Sequence, residues 1–278
     1  MGKRNVSYLL VLPAVLLIGG FLYSHVLLLG QSLFVDGEFS LDHYMAVVSD
    51  SYYLGIFGDT FRITAISAII VVAWGFPLAF WMVRTNNKRL QAFLIIVTAV
   101  PLLLTHVIKL YALVLLLGNT GVINEFLRAI GLIGPNESVR MMRNEFAVVV
   151  GLVTFALPFG VFTMASSIKR FDSGIEEAAM ILGANRVRTF VEVTLPLVTP
   201  GLFSALTLSF VLASTALSTP LILGGGGVQM IANQIYDQAV IAFDFPKAAT
   251  LAVTGLVAMT VILRTVAFVE KRFLFDGQ

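Results

Sequence analysis

Six long apolar stretches punctuate the chain, at about residues 8–33, 60–83, 90–117, 146–168, 200–223 and 248–270. Each is as long as the ~20 residues a helix needs to cross the hydrocarbon core of a bilayer. None shows the strict apolar–polar alternation of a barrel strand, so membrane-spanning helices are predicted. Residues 169–199 interrupt the pattern. Ser173 followed by Glu176 has the spacing of a capping box, which predicts a helix starting near Gly174. Ile175, Ala178, Ala179 and Leu182 then share one helical face. Gly183 suits the helix C-terminus, where a left-handed residue needs no Cβ. Asn185 is placed to cap a second helix, on which Val187, Phe190 and Val191 share a face, and Pro196 is expected to stop it. The pattern predicts two short helices at a tight turn, too polar to cross a bilayer and shaped to dock on a partner.

This segment resembles the EAA loop of permease subunits in binding-protein-dependent, type I ABC importers. That loop reads Glu-Ala-Ala, three residues, Gly, nine residues, a branched apolar residue, one residue, Leu-Pro. Here Glu177-Ala178-Ala179, Gly183, Val193 and Leu195-Pro196 keep every spacing, with Val193 where Ile is commoner. Other stretches look like the polyamine (spermidine/putrescine) branch of these permeases: Phe39 to Tyr44, Pro101 to Ala112, Leu117 to Asn124, Thr219-Pro220, Ile231-Ala232-Asn233 and Phe245-Pro246. The branch usually carries Arg where Lys109 stands and a bulky residue such as Trp where Leu113 stands.

The resemblance implies an all-α, six-transmembrane-helix bundle with both termini cytoplasmic, forming one permease domain over residues 1–278, with a cytoplasmic coupling loop at 169–199. It implies a bacterial inner-membrane protein that forms half of a translocation path. Its partners would be a second permease subunit, two ATP-binding subunits and a substrate-binding protein. ATP and Mg would sit on the partner ATPase subunits, with no cofactor in this chain. Ser173, Glu176, Glu177, Ala178, Ala179, Gly183, Ala184, Leu195 and Pro196 are the expected ATPase-coupling residues.

Composition agrees with a membrane protein: 58% of the 278 residues are hydrophobic and 12% charged, about half the charged share of a soluble domain. A net charge of +2 is no polyanion signal, and nucleic acid is not an expected partner. Lys3, Arg4, Arg84, Lys88, Arg89, Lys169, Arg170, Arg186, Arg188, Lys271 and Arg272 fall on alternate loops and at the ends. That bias places both termini and the hairpin in the cytoplasm. The first apolar stretch is too long for a signal-peptide core and is expected to be a retained span. With no cysteine there is no disulfide and no thiolate chemistry.

Polar residues inside spans tend to face the bundle or a watery path. Ser204, Thr207, Ser214, Thr215 and Ser218 fall within roughly 100° on a helical wheel, and Thr105, His106 and Lys109 cover a similar arc. These two stripes are the candidate translocation path. Helix packing, or bonding of each hydroxyl to its own backbone, is the other reading of the serines and threonines. Lys109 can snorkel outward or pair with a carboxylate. His106 has no second ligand at metal spacing, so no metal is expected. Pro13, Pro77, Pro101, Pro158 and Pro220 either kink spans usefully or only improve packing.

Gly224 to Gly227 is read as an outer turn, since no Lys-Ser/Thr follows it and GxxxxGK[ST] occurs nowhere. An ATPase, if transport needs one, must then be another polypeptide. An ion-coupled carrier would need a buried carboxylate, and none lies inside a span, Glu270 standing at the very end of the last. An intramembrane enzyme would need a nucleophile–base or metal constellation, which three scattered histidines do not supply. Polyamine is the favoured substrate class; the alternative is another small organic or anionic solute, to which Lys109 would be suited.

Overall fold

A computed structural model describes residues 3–35, 38–170, 172 and 174–275. Most of them are helical. The long elements are α1 (Lys3–Leu33), α3 (Ser51–Arg84), α4 (Lys88–Leu103), α5 (His106–Leu117), α7 (Glu145–Arg170), α10 (Leu195–Ser214) and α13 (Phe245–Phe275). Shorter helices are α2 (Asp42–Ser49), α6 (Val122–Ala129), α8 (Gly174–Ile181), α9 (Arg186–Thr189), α11 (Ser218–Leu223) and α12 (Ile231–Tyr236). A two-strand ribbon pairs Phe34 with Phe39 and Val35 with Glu38. Among the described residues six stretches are long and apolar enough to cross a membrane: Pro13–Leu33, Ser51–Arg84, His106–Ala129, Glu145–Arg170, Arg186–Ser214 and Phe245–Arg272.

Two of the expected spans are built differently. The stretch 90–117 is not one helix. Leu104 and Thr105 are both extended, at ψ 139° and 147°, and they separate α4 from α5. The break follows Pro101, and the Thr105 hydroxyl accepts the N–H of Ile108 to start α5. The stretch 200–223 is shifted. Its helix begins upstream of Pro200, ends at Ser214, and the chain restarts as α11 at Ser218.

The chain forms two compact units, Met1–Gly55 with Gln234–Ala258, and Ile56–Asn233 with Met259–Gln278. In the first, the Tyr44 hydroxyl donates to the fully buried Ser32 hydroxyl at 2.8 Å. The Gln234 amide donates to the Tyr52 hydroxyl, and the Lys247 ammonium lies 5.3 Å from the Tyr53 ring centroid.

In the second, α7 is the axis of the core. Val161, Met164 and Ile168 of α7 pack with Ala79 and Met82 of α3 and with Val198 and Ala205 of α10. Val148 and Leu152 pack with Ile63 and Ala213, and Ala147 with Leu110, Leu117 and Leu223. Helices α7 and α10 share the largest helix–helix contact. Gly201 permits it: a Cβ there would lie 2.3 Å from the Cβ of Ser167. Small residues that let backbones approach are how membrane helices associate without a hydrophobic drive between them.

Candidate functional site

The hairpin over 174–196 is built as two short helices and a tight turn. Asp172 opens α8: its carboxylate accepts the N–H of Gly174 at 2.9 Å, and its carbonyl accepts the N–H of Ile175. The expected capping-box partner, Ser173, lies outside the described residues. The carboxylate of Glu176 has another use. Its Oε1 accepts from the Arg84 guanidinium at 2.9 Å and from the Thr194 hydroxyl at 2.7 Å. Glu176 therefore ties α8 both to the last residue of α3 and to the segment after the turn.

The turn itself follows from one glycine. The Gly183 N–H donates to Met180 and the Ala184 N–H to Ala179, at 3.0 and 3.1 Å, which closes α8 with a Schellman motif. Gly183 has φ +96°, and a Cβ there would meet nothing within 4 Å. Backbone conformation, not space, demands glycine. Asn185 then caps α9, its side-chain oxygen accepting the Arg188 N–H at 2.8 Å. The Arg188–Glu192 pair is exposed and adds little.

Pro196 does not stop the second helix. Arg186–Thr189 runs through a π-helical turn, Phe190–Thr194, directly into α10. In that turn the Leu195 N–H reaches back five residues to the Phe190 carbonyl. The widened register falls just ahead of Pro196, whose ring and missing N–H would disturb a regular helix. Phe190, the first residue of that turn, does not share the exposed face of Val187 and Val191 expected of it. It packs 6.2 Å from the Phe76 ring and 5.8 Å from the Phe80 ring.

Several large apolar side chains are left outside as well. Ile181 is 86% exposed, Leu182 89% and Val187 73%, and Ile175, Met180 and Val191 are also exposed. Glu177 and Ala178 lie on the surface, while Ala179 and Ala184 are half-buried. Together the large apolar side chains form a protruding knuckle on a braced turn, the kind of exposed patch that marks a protein or membrane contact.

The path candidates are divided by the structure. Ser218 is not on the helix of Ser204, Thr207 and Ser214, and Thr215 caps that helix's end. The hydroxyls of Ser204 and Ser214 donate to the carbonyls of Pro200 and Phe210, and that of Thr215 to those of Val211 and Leu212. Thr105 likewise caps α5 instead of sharing its face. His106 and Lys109 do come together, around Phe155. The His106 ring lies 4.5 Å from the Phe155 ring and hydrogen-bonds Thr219 at 3.0 Å. Lys109 pairs with no carboxylate among the described residues. It is 9% exposed, and its ammonium sits 5.6 Å from the Phe155 centroid. Arg84, Thr194 and Thr219 had no local signal marking them as partners.

Residues 71–274 match the family model described as binding-protein-dependent transport system inner membrane component. The chain belongs to this family. It is an ABC importer permease, a transport subunit and not an enzyme by itself, and it crosses the bacterial inner membrane several times. It is similar to the spermidine/putrescine transport system permease protein PotB of Escherichia coli (strain K12), 29% identical over 252 residues, which are 91% of this chain and 89% of that protein. The inner membrane ABC transporter permease protein YdcU of the same organism is 28% identical over 227 residues, 77% of this chain and 69% of that one. Among solved structures, a bacterial ABC transporter involved in the import of the acidic polysaccharide alginate superposes with a TM-score of 0.82 at 18% identity, covering 97% of this chain and 96% of that one. The inward-facing MetNI methionine ABC transporter gives 0.54 over 81% of this chain and 95% of that one, also at 18% identity. These likenesses establish the fold.

Proposed function

We propose that this permease forms half of a translocation path for a small solute of the polyamine class, delivered by a periplasmic binding protein, and that the 174–196 hairpin docks on a separate ATP-binding subunit. The exposed knuckle of Ile181, Leu182 and Val187 carries this reading, because three large apolar side chains at a braced turn have no use in an isolated chain. The hairpin lies on the cytoplasmic side, with both termini. A second permease supplies the other half of the path, and ATP with Mg binds on two ATPase subunits. Closure of those subunits moves the docked hairpins together, the spans open outward to the loaded binding protein, and hydrolysis resets them inward.

The substrate class rests on the PotB relatives, which are named for spermidine and putrescine. Thr207, Ser204 and the His106–Lys109 group remain the path candidates. The Ser204 hydroxyl, although bonded to its own backbone, is exposed and can still accept from an ammonium. The test is reconstitution in lipid with an ATPase subunit and a binding protein encoded alongside this chain. Spermidine-loaded binding protein should stimulate ATP hydrolysis and spermidine uptake. An anionic solute that stimulates where spermidine does not would overturn the substrate class and leave the docking reading standing.

A further inference from the structure

Docking alone does not move a membrane span; the hairpin must also be mechanically tied to the spans it drives. One tie is covalent, through the helix that continues from α9 into α10. The structure holds a second. Phe76, Phe80 and Arg84 are spaced i, i+4, i+8 and so form one stripe at the end of α3. Phe190 packs on both phenylalanines. The Arg84 guanidinium lies 5.8 Å from the Phe80 ring centroid and donates to Glu176. Glu176 in turn accepts from Thr194, which is 2% exposed inside the π-helical turn. The side chains of Arg84 and Glu176 are 21% and 18% exposed, so water competes weakly for this pair.

We infer that Arg84, Glu176 and Thr194 form a clasp that transmits movement of the docked hairpin to the second span, with Glu176 as its positioning residue. This inference rests on the docking reading above. Within the π-helical turn Phe190 packs on α3 and Thr194 donates to Glu176, while Val187 and Val191 stay outside. Glu176 and the docking knuckle sit at opposite ends of α8. Cutting the clasp therefore leaves the docking surface intact and lets α8 move without pulling α3. The two functions separate: Ile181, Leu182 and Val187 hold the partner, and Glu176 couples it.

The test uses the whole complex in lipid, with Glu176→Ala, Arg84→Ala and the exchanged pair Arg84→Glu with Glu176→Arg. Three quantities are read: ATPase subunit retained on purification, stimulation of ATP hydrolysis by loaded binding protein, and solute uptake. Each single variant should retain the ATPase at the wild-type ratio and lose about tenfold in stimulation and uptake. The exchanged pair should recover most of both. Because the chain has no cysteine, Arg84→Cys with Glu176→Cys can be joined by a short reversible dithiol crosslinker. The joined form should transport and the released form should not, which guards against variants that merely misassemble. Single variants with wild-type stimulation and uptake would overturn the clasp, as would loss of the ATPase from the single variants with no recovery on exchange or crosslinking. If wild-type chain retains no ATPase subunit, the docking reading itself fails.

Discussion

The backbone N–H of Ala184 donates to the carbonyl of Ala179 at 3.1 Å, and the bond closes only because Gly183 between them stands at φ +96°. Gly183→Ala adds a methyl that meets no neighbour, so its whole cost is the left-handed backbone, about 1–2 kcal/mol. The hairpin should loosen without clashing. Retention of the ATPase subunit should fall by about tenfold, while the melting temperature of the purified permease stays within a few degrees of wild type, because few core contacts depend on the turn.

Asn185→Ala removes the oxygen that accepts the Arg188 N–H. Loss of such a cap costs about 1 kcal/mol. Faster amide hydrogen exchange at residues 187–189 would report it directly; unchanged exchange there would mean the cap does not hold α9.

Leu182→Asp puts a charge at the most exposed point of the knuckle. At 89% exposure the side chain contributes little to the fold, and the variant should melt as wild type does. It should lose the ATPase subunit on purification, since an unpaired carboxylate in an apolar contact costs several kcal/mol.

Gly201→Val drives its Cβ into Ser167, where 2.3 Å is all the space available. Overpacking of this kind costs about 1–3 kcal/mol. The melting temperature should drop, and rescue by Ser167→Gly would show that the α7–α10 contact is the cause.

Thr219→Val leaves the His106 Nε2 without its hydroxyl partner in a site where Nδ1 is already buried with no partner among the described residues. A buried polar atom stripped of its bond costs about 1–3 kcal/mol. Thermal melting should show that loss, and His106→Leu in the same background should recover part of it by removing the stranded group.

Most of the spans and the turn of the hairpin were legible because their signals are local. Runs of apolar residues mark a span, and Gly183 and Asn185 mark a turn, through effects confined to one helical turn. Pro196 misled for the same reason: a proline normally ends a helix, and nothing near it announces that a π-helical register ahead of it lets the helix continue. The break at Leu104–Thr105 was hidden within a stretch long and apolar enough to read as one span, and it carried Thr105 off the face of His106 and Lys109. The wheel that grouped Ser218 with Ser204 assumed one continuous helix, but that helix ends at Ser214. Glu176 was read as a local cap, whereas its partner Arg84 stands 92 residues away. Long-range pairs of single charges leave no pattern in one sequence.

The most direct measurement is ATP hydrolysis by the complex purified through this chain and placed in lipid, with and without loaded binding protein. A permease that couples through its hairpin brings an ATPase with it, and loaded binding protein raises its rate severalfold. No associated ATPase, or a rate indifferent to the binding protein while solute still crosses, would contradict the account and point to a carrier driven by other means.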